Sequence, residues 1–247
     1  MPDTDPDFSL TDNTLTHPVL TEVLAQLAAP RVHPTAIIEA NVSLGRGTSV
    51  WDNVHIRHDT TVGDECIVGE KTYIAYGVRI GHRVKINSMV YICTAVTIED
   101  GVMISAGTIF TNDRFPRATT PDLKRLRSSD PDEHTLPTRV REGATIGAGC
   151  TIGNDLTIGR FAMIGMGALV TKSIPDFALA IGHPAVPVGA VCRCGQLLFR
   201  YTAGRPPARK RVECGACRRQ YVFNAGQVEE LDGATTPPPR AGARSVT

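Results

Sequence analysis

The strongest constraint on this chain is a period of six. From Val32 an aliphatic or Phe side chain returns at every sixth residue without a miss, through Ile38, Leu44, Val50, Ile56, Val62, Val68, Ile74, Ile80, Ile86, Ile92, Ile98 and Ile104 to Phe110. Four residues after each repeat residue sits a second small or β-branched one: Ala36, Val42, Thr48, Val54, Thr60, Cys66, Thr72, Val78, Val84, Val90, Val96, Val102 and Thr108. An amphipathic helix repeats every ~3.6 residues and a lone strand every ~2, so neither fits. A period of six implies a short strand followed by a turn, each hexad laying a flat face and its corner onto the next and burying a continuous apolar column. The expected fold class is all-β, a parallel β-helix.

After Phe110 the rhythm fails: Pro116, Asp122, Ser128 and His134 occupy the next four repeat positions. Val140 restores it, followed by Ile146, Ile152, Ile158, Ile164 and Val170, with Ala144, Cys150, Leu156, Ala162 and Ala168 as corner partners. The gap from Phe110 to Val140 is a multiple of six, so residues 111–139 are expected to leave the solenoid as an extruded loop and re-enter at the corner they left. A loop of this length in a regular solenoid points to function.

The repeat resembles that of the hexapeptide-repeat acyltransferases, which begins with an aliphatic residue, often has Gly next, and has a small residue or Val at the fifth position. Gly45, Gly63, Gly69 and Gly81 fill the second slot here. The resemblance covers residues 32 to 190. It implies three hexads per coil of a left-handed prism, hence six to seven coils, and a homotrimer with active sites at subunit boundaries.

The segments that end the repeats, residues 168–175 and 178–185, resemble the terminal signature of the coenzyme-A-dependent members. On that resemblance Lys172 is the cation for the nucleotide 3′-phosphate. Gly147, Ala148, Gly165 and Gly167 let the pantetheine approach the backbone, and Gly182, His183 and Pro184 form a tight turn near the adenine. Acetyl-CoA is the implied co-substrate.

Acetyl transfer needs a neutral amine held at the thioester carbonyl, a donor facing the developing oxyanion, and a path for one proton off nitrogen. The run from His55 to Arg117 carries VHIR (54–57), GVRIG (77–81), VKIN (84–87), EDGV (99–102) and FTNDRFPR (110–117). It resembles the branch that acetylates amino groups on nucleotide-linked sugars, typified by the UDP-2-acetamido-3-amino-glucuronate N-acetyltransferases. That resemblance assigns Asn112 to orient the amine, with Asp113 beside it to accept an amine hydrogen or hold the loop. The departing thiolate can take the proton, since a neutral amine is already a nucleophile. A histidine base is the competing proposal; His55, His58 and His82 are candidates, and His82 is favoured because its Gly-His position follows a repeat start. The chain departs from the branch at Asn87 and Ser88, where a Gln-Asn pair is usual, and at Ser105 and Ala106, where Gly-Pro is usual. These positions, with Arg114 and Arg117 as cations for a diphosphate or sugar carboxylate, bear on which sugar is taken.

Two readings of another class compete. A γ-type carbonic anhydrase shares the prism and holds zinc between subunits by histidines, but the second His expected five residues after His82 is Asn87. A non-catalytic scaffold would use the C-terminal module for docking.

That module, expected over residues 191–232, pairs Cys192 and Cys194 with Cys214 and Cys217. Two close thiolate pairs suit a closed tetrahedral site, so a zinc-ribbon-like unit with a structural zinc is expected. A unit this small buries too little apolar surface to fold alone, and a metal supplies the difference. Cys66, Cys93 and Cys150 fall inside hexads as small fillers. The odd count of seven cysteines suits a reducing cytoplasm.

At the ends, residues 1–16 and 233–247 read as disordered. Residues 18–28 place Val19, Val23, Leu24 and Leu27 on one face, which suits a short helix capping the open first coil. The acidic, polar first residues do not read as a secretory leader, and no apolar run approaches the ~20 residues of a membrane span. Aromatic content of 5% suits a solenoid built on Val and Ile, and a net charge of +1 argues against nucleic-acid or membrane binding. The basic stretch after residue 192 lacks interleaved aromatics and reads as solvated surface.

Overall fold

The computed structural model describes residues 29–202, 205–224 and 226–231. The helix expected over 18–28 and the two disordered ends lie outside the described residues. Among the described residues there is no helix.

Strands of two or three residues run from Arg31–Val32 to Leu169–Val170, and each ends on a residue of the six-residue series. Every third strand pairs in parallel, with register partners eighteen residues apart before the loop, as in Val50↔Val68 and Ile56↔Ile74. The result is a parallel β-helix with three flat faces. The first face begins with Arg31–Val32, the second with Ile37–Ile38 and the third with Ser43–Leu44. Because side chains alternate along a strand, the series residue points inward and the one before it outward. The inward residues form one continuous column, with Ile56, Ile74, Ile92, Ile104 and Ile146 fully buried.

The corner positions explain the second motif of the sequence. Corner valines such as Val54, Val78 and Val102 join the column. Corner threonines are also buried, but each hydroxyl has a carbonyl to donate to: Thr48 to Gly63 at 2.7 Å, Thr60 to Ala75 at 2.9 Å and Thr72 to Asn87 at 3.1 Å. A buried hydroxyl without such a partner would be costly. Three residues after most series residues the backbone turns left-handed, even at Glu65, Lys71, Arg83 and Met89, with φ between 54° and 58°. The cost is roughly 1–2 kcal/mol per residue. What holds the turns is the coil before: the N–H of Glu65 donates to Arg46 at 2.8 Å, and that of Met89 to Glu70 at 2.9 Å.

We name the edge between the first and second faces edge I, that between the second and third edge II, and that between the third and first edge III. The long excursion leaves from edge II after Phe110. Its base is a short antiparallel pairing of Asp113 with Thr135, and the Leu136 N–H donates to the Asn112 carbonyl at 2.8 Å. Strand Thr138–Val140 then takes the next place on the third face, beside Val96–Ile98.

At the C-terminal end the first face changes character. Strand Ala178–Gly182 pairs in parallel with Met163–Ile164, and Ala185–Val191 and then Leu197–Arg200 add to it antiparallel. Strand Ala185–Val191 therefore runs through residue 190, so the boundary drawn there from sequence falls inside a strand. Three further strands, Arg209–Glu213, Gln220–Asn224 and Gln227–Leu231, form a separate antiparallel sheet. A second core of Phe177, Ala190, Cys192, Cys214, Tyr221 and Phe223 joins this unit to the prism. The Arg193 guanidinium lies 4.4 Å over the Phe161 ring and pairs with Glu142 at 3.3 Å.

The glycine after a repeat residue is set by close packing of coils. A Cβ on Gly63 would stand 2.5 Å from the Gly81 carbonyl oxygen, whereas one on Gly77 would meet nothing within 4 Å and bear only the strain of φ +69°. Gly63→Ala is expected to destabilise by about 3 kcal/mol and Gly77→Ala by about 1 kcal/mol, read from thermal unfolding. Equal losses would show that coil spacing does not constrain Gly63.

Candidate active site

The three edges divide the residues singled out from sequence. Edge I gathers Asn87 and Ser88, then Ser105 and Ala106, then Gly147 and Ala148, then Gly165 and Gly167, and finally His183 and Pro184. Backbone bonds stack these corners: the N–H of Gly107 donates to Ser88 at 3.1 Å, that of Gly149 to Ala106 at 2.9 Å and that of Gly167 to Ala148 at 2.8 Å. Toward the C-terminal end the edge carries almost no side-chain bulk apart from Met166, which is exposed. The His183–Pro184 peptide is cis.

Edge II holds Asn112, Asp113, Arg114 and Lys172. Asn112 is half-buried, and its amide nitrogen donates to the Thr94 carbonyl at 3.4 Å. That contact leaves the side-chain oxygen to receive a hydrogen from outside. Asp113 Oδ1 accepts the Phe115 N–H at 2.8 Å, which closes the first turn of the loop. Arg114 pairs with Asp155 at 3.1 Å, and Arg117 donates to its neighbour's carbonyl at Pro116, 2.9 Å away. Lys172 is exposed at the C-terminal end of this edge.

His82 stands apart, on edge III. Its Nδ1 accepts the Asp64 N–H at 3.0 Å, so the neutral ring carries its proton on Nε2. In that state neither nitrogen can take a proton without breaking the contact. His55 Nε2 lies 2.8 Å from Glu39, and His58 Nδ1 lies 2.7 Å from Asp59. A single chain thus keeps Asn112 and Lys172, the small-residue corners assigned to coenzyme A, and His82 on three different edges.

The structure also shows a network that the sequence reading missed. Glu39 faces His55 and Arg57, and the buried Arg57 Nε lies 2.6 Å from the Glu39 oxygen, out of line for a straight hydrogen bond. Arg57 donates to the Tyr73 hydroxyl at 3.0 Å. His58 and Tyr76 stack with ring centroids 5.2 Å apart and planes 3° from parallel, and Tyr73 stacks on Tyr91 in the same way. The available signal was a spacing of eighteen, the length of one coil, which separates both stacked pairs.

The four cysteines of the C-terminal unit converge, with all sulfurs within 4.8 Å of one another. Cys192 and Cys217 are 3.4 Å apart, and Cys194 and Cys214 are 3.7 Å apart, too far for disulfides. Tyr221 is fully buried, its hydroxyl 3.1 Å from the Cys192 sulfur and accepting the Arg193 N–H at 3.2 Å. The hexad cysteines are of another kind: burial pushes the Cys93 thiol up to about 12, which suits an inert filler.

Comparison with known proteins decides the family. Residues 41–76 match the family described as bacterial transferase hexapeptide (six repeats). The chain is 40% identical over 200 residues to dTDP-3-amino-3,6-dideoxy-α-D-galactopyranose 3-N-acetyltransferase of Aneurinibacillus thermoaerophilus, covering 81% of this chain and 94% of that protein. The chain belongs to the hexapeptide-repeat transferase family. It is therefore an acyl-transferring enzyme. Among solved structures it is similar to the acetyltransferase domain of PglB from Neisseria gonorrhoeae with acetyl coenzyme A, at 20% identity and a TM-score of 0.42, over 69% of this chain and 64% of that one. A variant of AntD, an N-acyltransferase from Bacillus cereus, in complex with dTDP and coenzyme A, matches at 20% identity and a TM-score of 0.33, over 70% of this chain and 90% of that one. Among the described residues no helix is long and apolar enough to cross a membrane.

The Glu39 network has a pH signature. The close ion pair with the Arg57 guanidinium, with help from the His58 N–H and His55, draws the carboxyl from 4.5 down to about 2. The folded value lies below the unfolded one, so the stabilisation is complete above pH 4.5 and fades as pH falls toward about 2. Over that window the melting temperature of the native chain should fall more steeply than that of Glu39→Gln. Parallel curves would show that Glu39 contributes nothing.

Proposed function

We propose that this enzyme transfers the acetyl group of acetyl-CoA to the amino group of a nucleotide-linked aminosugar, in a site that two copies of the chain build together. The observation that carries the reading is the 40% identity to a nucleotide-aminosugar N-acetyltransferase along 94% of that protein. A dTDP-linked 3-amino-hexose is accordingly the first acceptor to test.

In this reading the Asn112 oxygen accepts a hydrogen of the neutral amine and points its lone pair at the thioester carbonyl. The C–N bond forms, the C–S bond breaks, and the thiolate takes the proton released from nitrogen. Asp113, already bonded to the Phe115 N–H, holds the loop that carries Asn112. The position of His82 on edge III, with Nδ1 engaged by Asp64, favours this route over a histidine base.

The faces support a homotrimer of left-handed prisms. The second face points Ile37, His55, Tyr73, Tyr91, Ile109, Thr151 and Leu169 outward, mostly apolar or aromatic, and Ile37, Tyr91 and Ile109 are each 43–56% exposed. The third face points Ser43, Thr61, Arg79, Thr97, Arg139 and Thr157 outward. An apolar face of this kind seeks cover, and closed threefold symmetry provides it. With the second faces turned to the axis, edge I of each copy meets edge II of the next. Coenzyme A along the small residues of edge I then reaches Asn112 of the neighbouring copy, with Lys172 across the groove. In this reading both substrates are small molecules, and the enzyme works in the cytoplasm with neither a nucleic-acid nor a membrane partner.

The cysteine cluster supports a structural zinc. Zinc–sulfur bonds of ~2.3 Å give a tetrahedron with edges of about 3.8 Å, close to the sulfur separations found. All four positions are then filled, so the metal would hold the module on the prism and take no part in the transfer.

Thiol release from acetyl-CoA in the presence of dTDP-3-amino sugars tests the chemistry. Asn112→Ala should lower kcat by about 10²-fold or more. Mixing inactive Asn112→Ala chains with chains blocked by Ala148→Trp should restore about a quarter of native activity if two copies share each site. Failure of the mixture to regain any activity would place each site within one copy. Metal analysis should find one zinc per chain, lost in Cys214→Ser, and a strong chelator should lower the melting temperature. A metal-free chain with an unchanged melting temperature would exclude the zinc reading.

A further inference from the structure

The two edges that would face each other across the proposed groove are unlike at their two ends. In the C-terminal half edge I offers Gly147, Ala148, Gly165 and Gly167. In the N-terminal half the same edge carries Trp51, 53% exposed, beside a hollow of about 330 Å³ that Val32, His33 and Pro34 also line. Edge II shows the same asymmetry, because its stacked pair of His58 and Tyr76 lies in the second and third coils. The stack is fixed in place: Asp59 holds the His58 ring at 2.7 Å, and the Arg57 guanidinium lies 6.0 Å from the Tyr76 ring centre. Neither ring belongs to the buried column, and the transfer chemistry uses neither.

From this placement we infer that Trp51 of one copy and the His58–Tyr76 stack of the next form the platform that takes the nucleobase of the acceptor. The inference rests on the shared-site acceptor reading above and deepens it. Coils are spaced by about 4.8 Å, so Tyr76 stands about 10 Å and His58 about 14 Å from Asn112 along the edge. A diphosphate and a ribose bridge such an interval between a sugar amine at Asn112 and a base among the rings. If coenzyme A fills the half built of small residues, the acceptor nucleotide must enter from the other end, where the flat aromatic surfaces are. Every base has a π-face, and stacking on aromatic side chains needs no particular hydrogen-bond pattern. Trp51 is the chain's only tryptophan, so the platform carries its own reporter.

The full-length protein is titrated with dTDP, UDP or coenzyme A while Trp51 fluorescence is followed and binding is measured by calorimetry. Expected is a saturable quench with dTDP or UDP and none with coenzyme A. His58→Ala and Tyr76→Ala should weaken nucleoside-diphosphate binding roughly 10- to 100-fold, Tyr76→Phe should preserve it, and none should change the affinity for coenzyme A, which also reports an intact fold. Wild-type nucleotide affinity in both alanine variants overturns the platform while leaving the acceptor class standing. A quench by coenzyme A and not by the nucleotides means the groove is occupied in the opposite sense and also overturns it. A native protein that binds coenzyme A but no nucleoside diphosphate removes both the platform and the acceptor reading beneath it.

Discussion

Everything in this molecule hangs on the backbone ladder between successive coils. The Ile37 N–H donates to Val54, that of His55 to Thr72 and that of Tyr73 to Tyr91's predecessor Val90, each at 2.8–2.9 Å. Strands of two residues could not pair stably alone, and only the stacking of like on like makes them cooperative. The ladder fixes the coil spacing, and the spacing in turn admits only Gly at positions such as Gly63. It also holds left-handed turns at Lys71 and Met89 whose side chains would otherwise oppose them.

The same regularity sorts outward-facing chemistry by edge. Because a side chain's neighbours are one coil away in either direction, isolated residues become columns: glycine and alanine corners on edge I, and His58, Tyr76, Thr94 and Asn112 on edge II. The column on edge II is joined by real contacts, from the ring stack through the Thr94 hydroxyl on the Tyr76 carbonyl at 2.9 Å to the Asn112 amide on the Thr94 carbonyl. A solenoid can therefore present a long, ordered strip of outward side chains along one edge.

The C-terminal unit shows how the regular stack is brought to an end. A further parallel strand would leave an open edge, and the chain instead turns back through Gly182 and adds two antiparallel strands to the first face. The aromatic contacts of Phe161 with Phe177 at 5.3 Å and of Phe177 with Tyr221 at 5.4 Å carry the apolar interior on into the cysteine unit. Arg193, the residue between Cys192 and Cys194, clasps Phe161 and Glu142 of the prism. The order of the cysteine cluster and the closure of the prism are thus mechanically linked.

The inward pattern was fully legible in the sequence. Every repeat residue from Val50 to Val170 is buried, since a close-packed column makes an unpartnered polar side chain costly and so writes its period directly into the chain. The cysteine spacing likewise announced a cluster, because four thiols in two tight pairs have few other uses. What the sequence did not disclose was which corners are neighbours. The Glu39–Arg57–Tyr73 network, the stacked rings, and the separation of Asn112 from the glycine corners and from His82 arise only when the coil closes and residues one coil apart come into register. Outward side chains are free of the column's packing constraint, so their residue types repeat only locally, as in the pairs eighteen residues apart at His58 and Tyr76 and at Tyr73 and Tyr91. Only the tertiary structure decides what they touch.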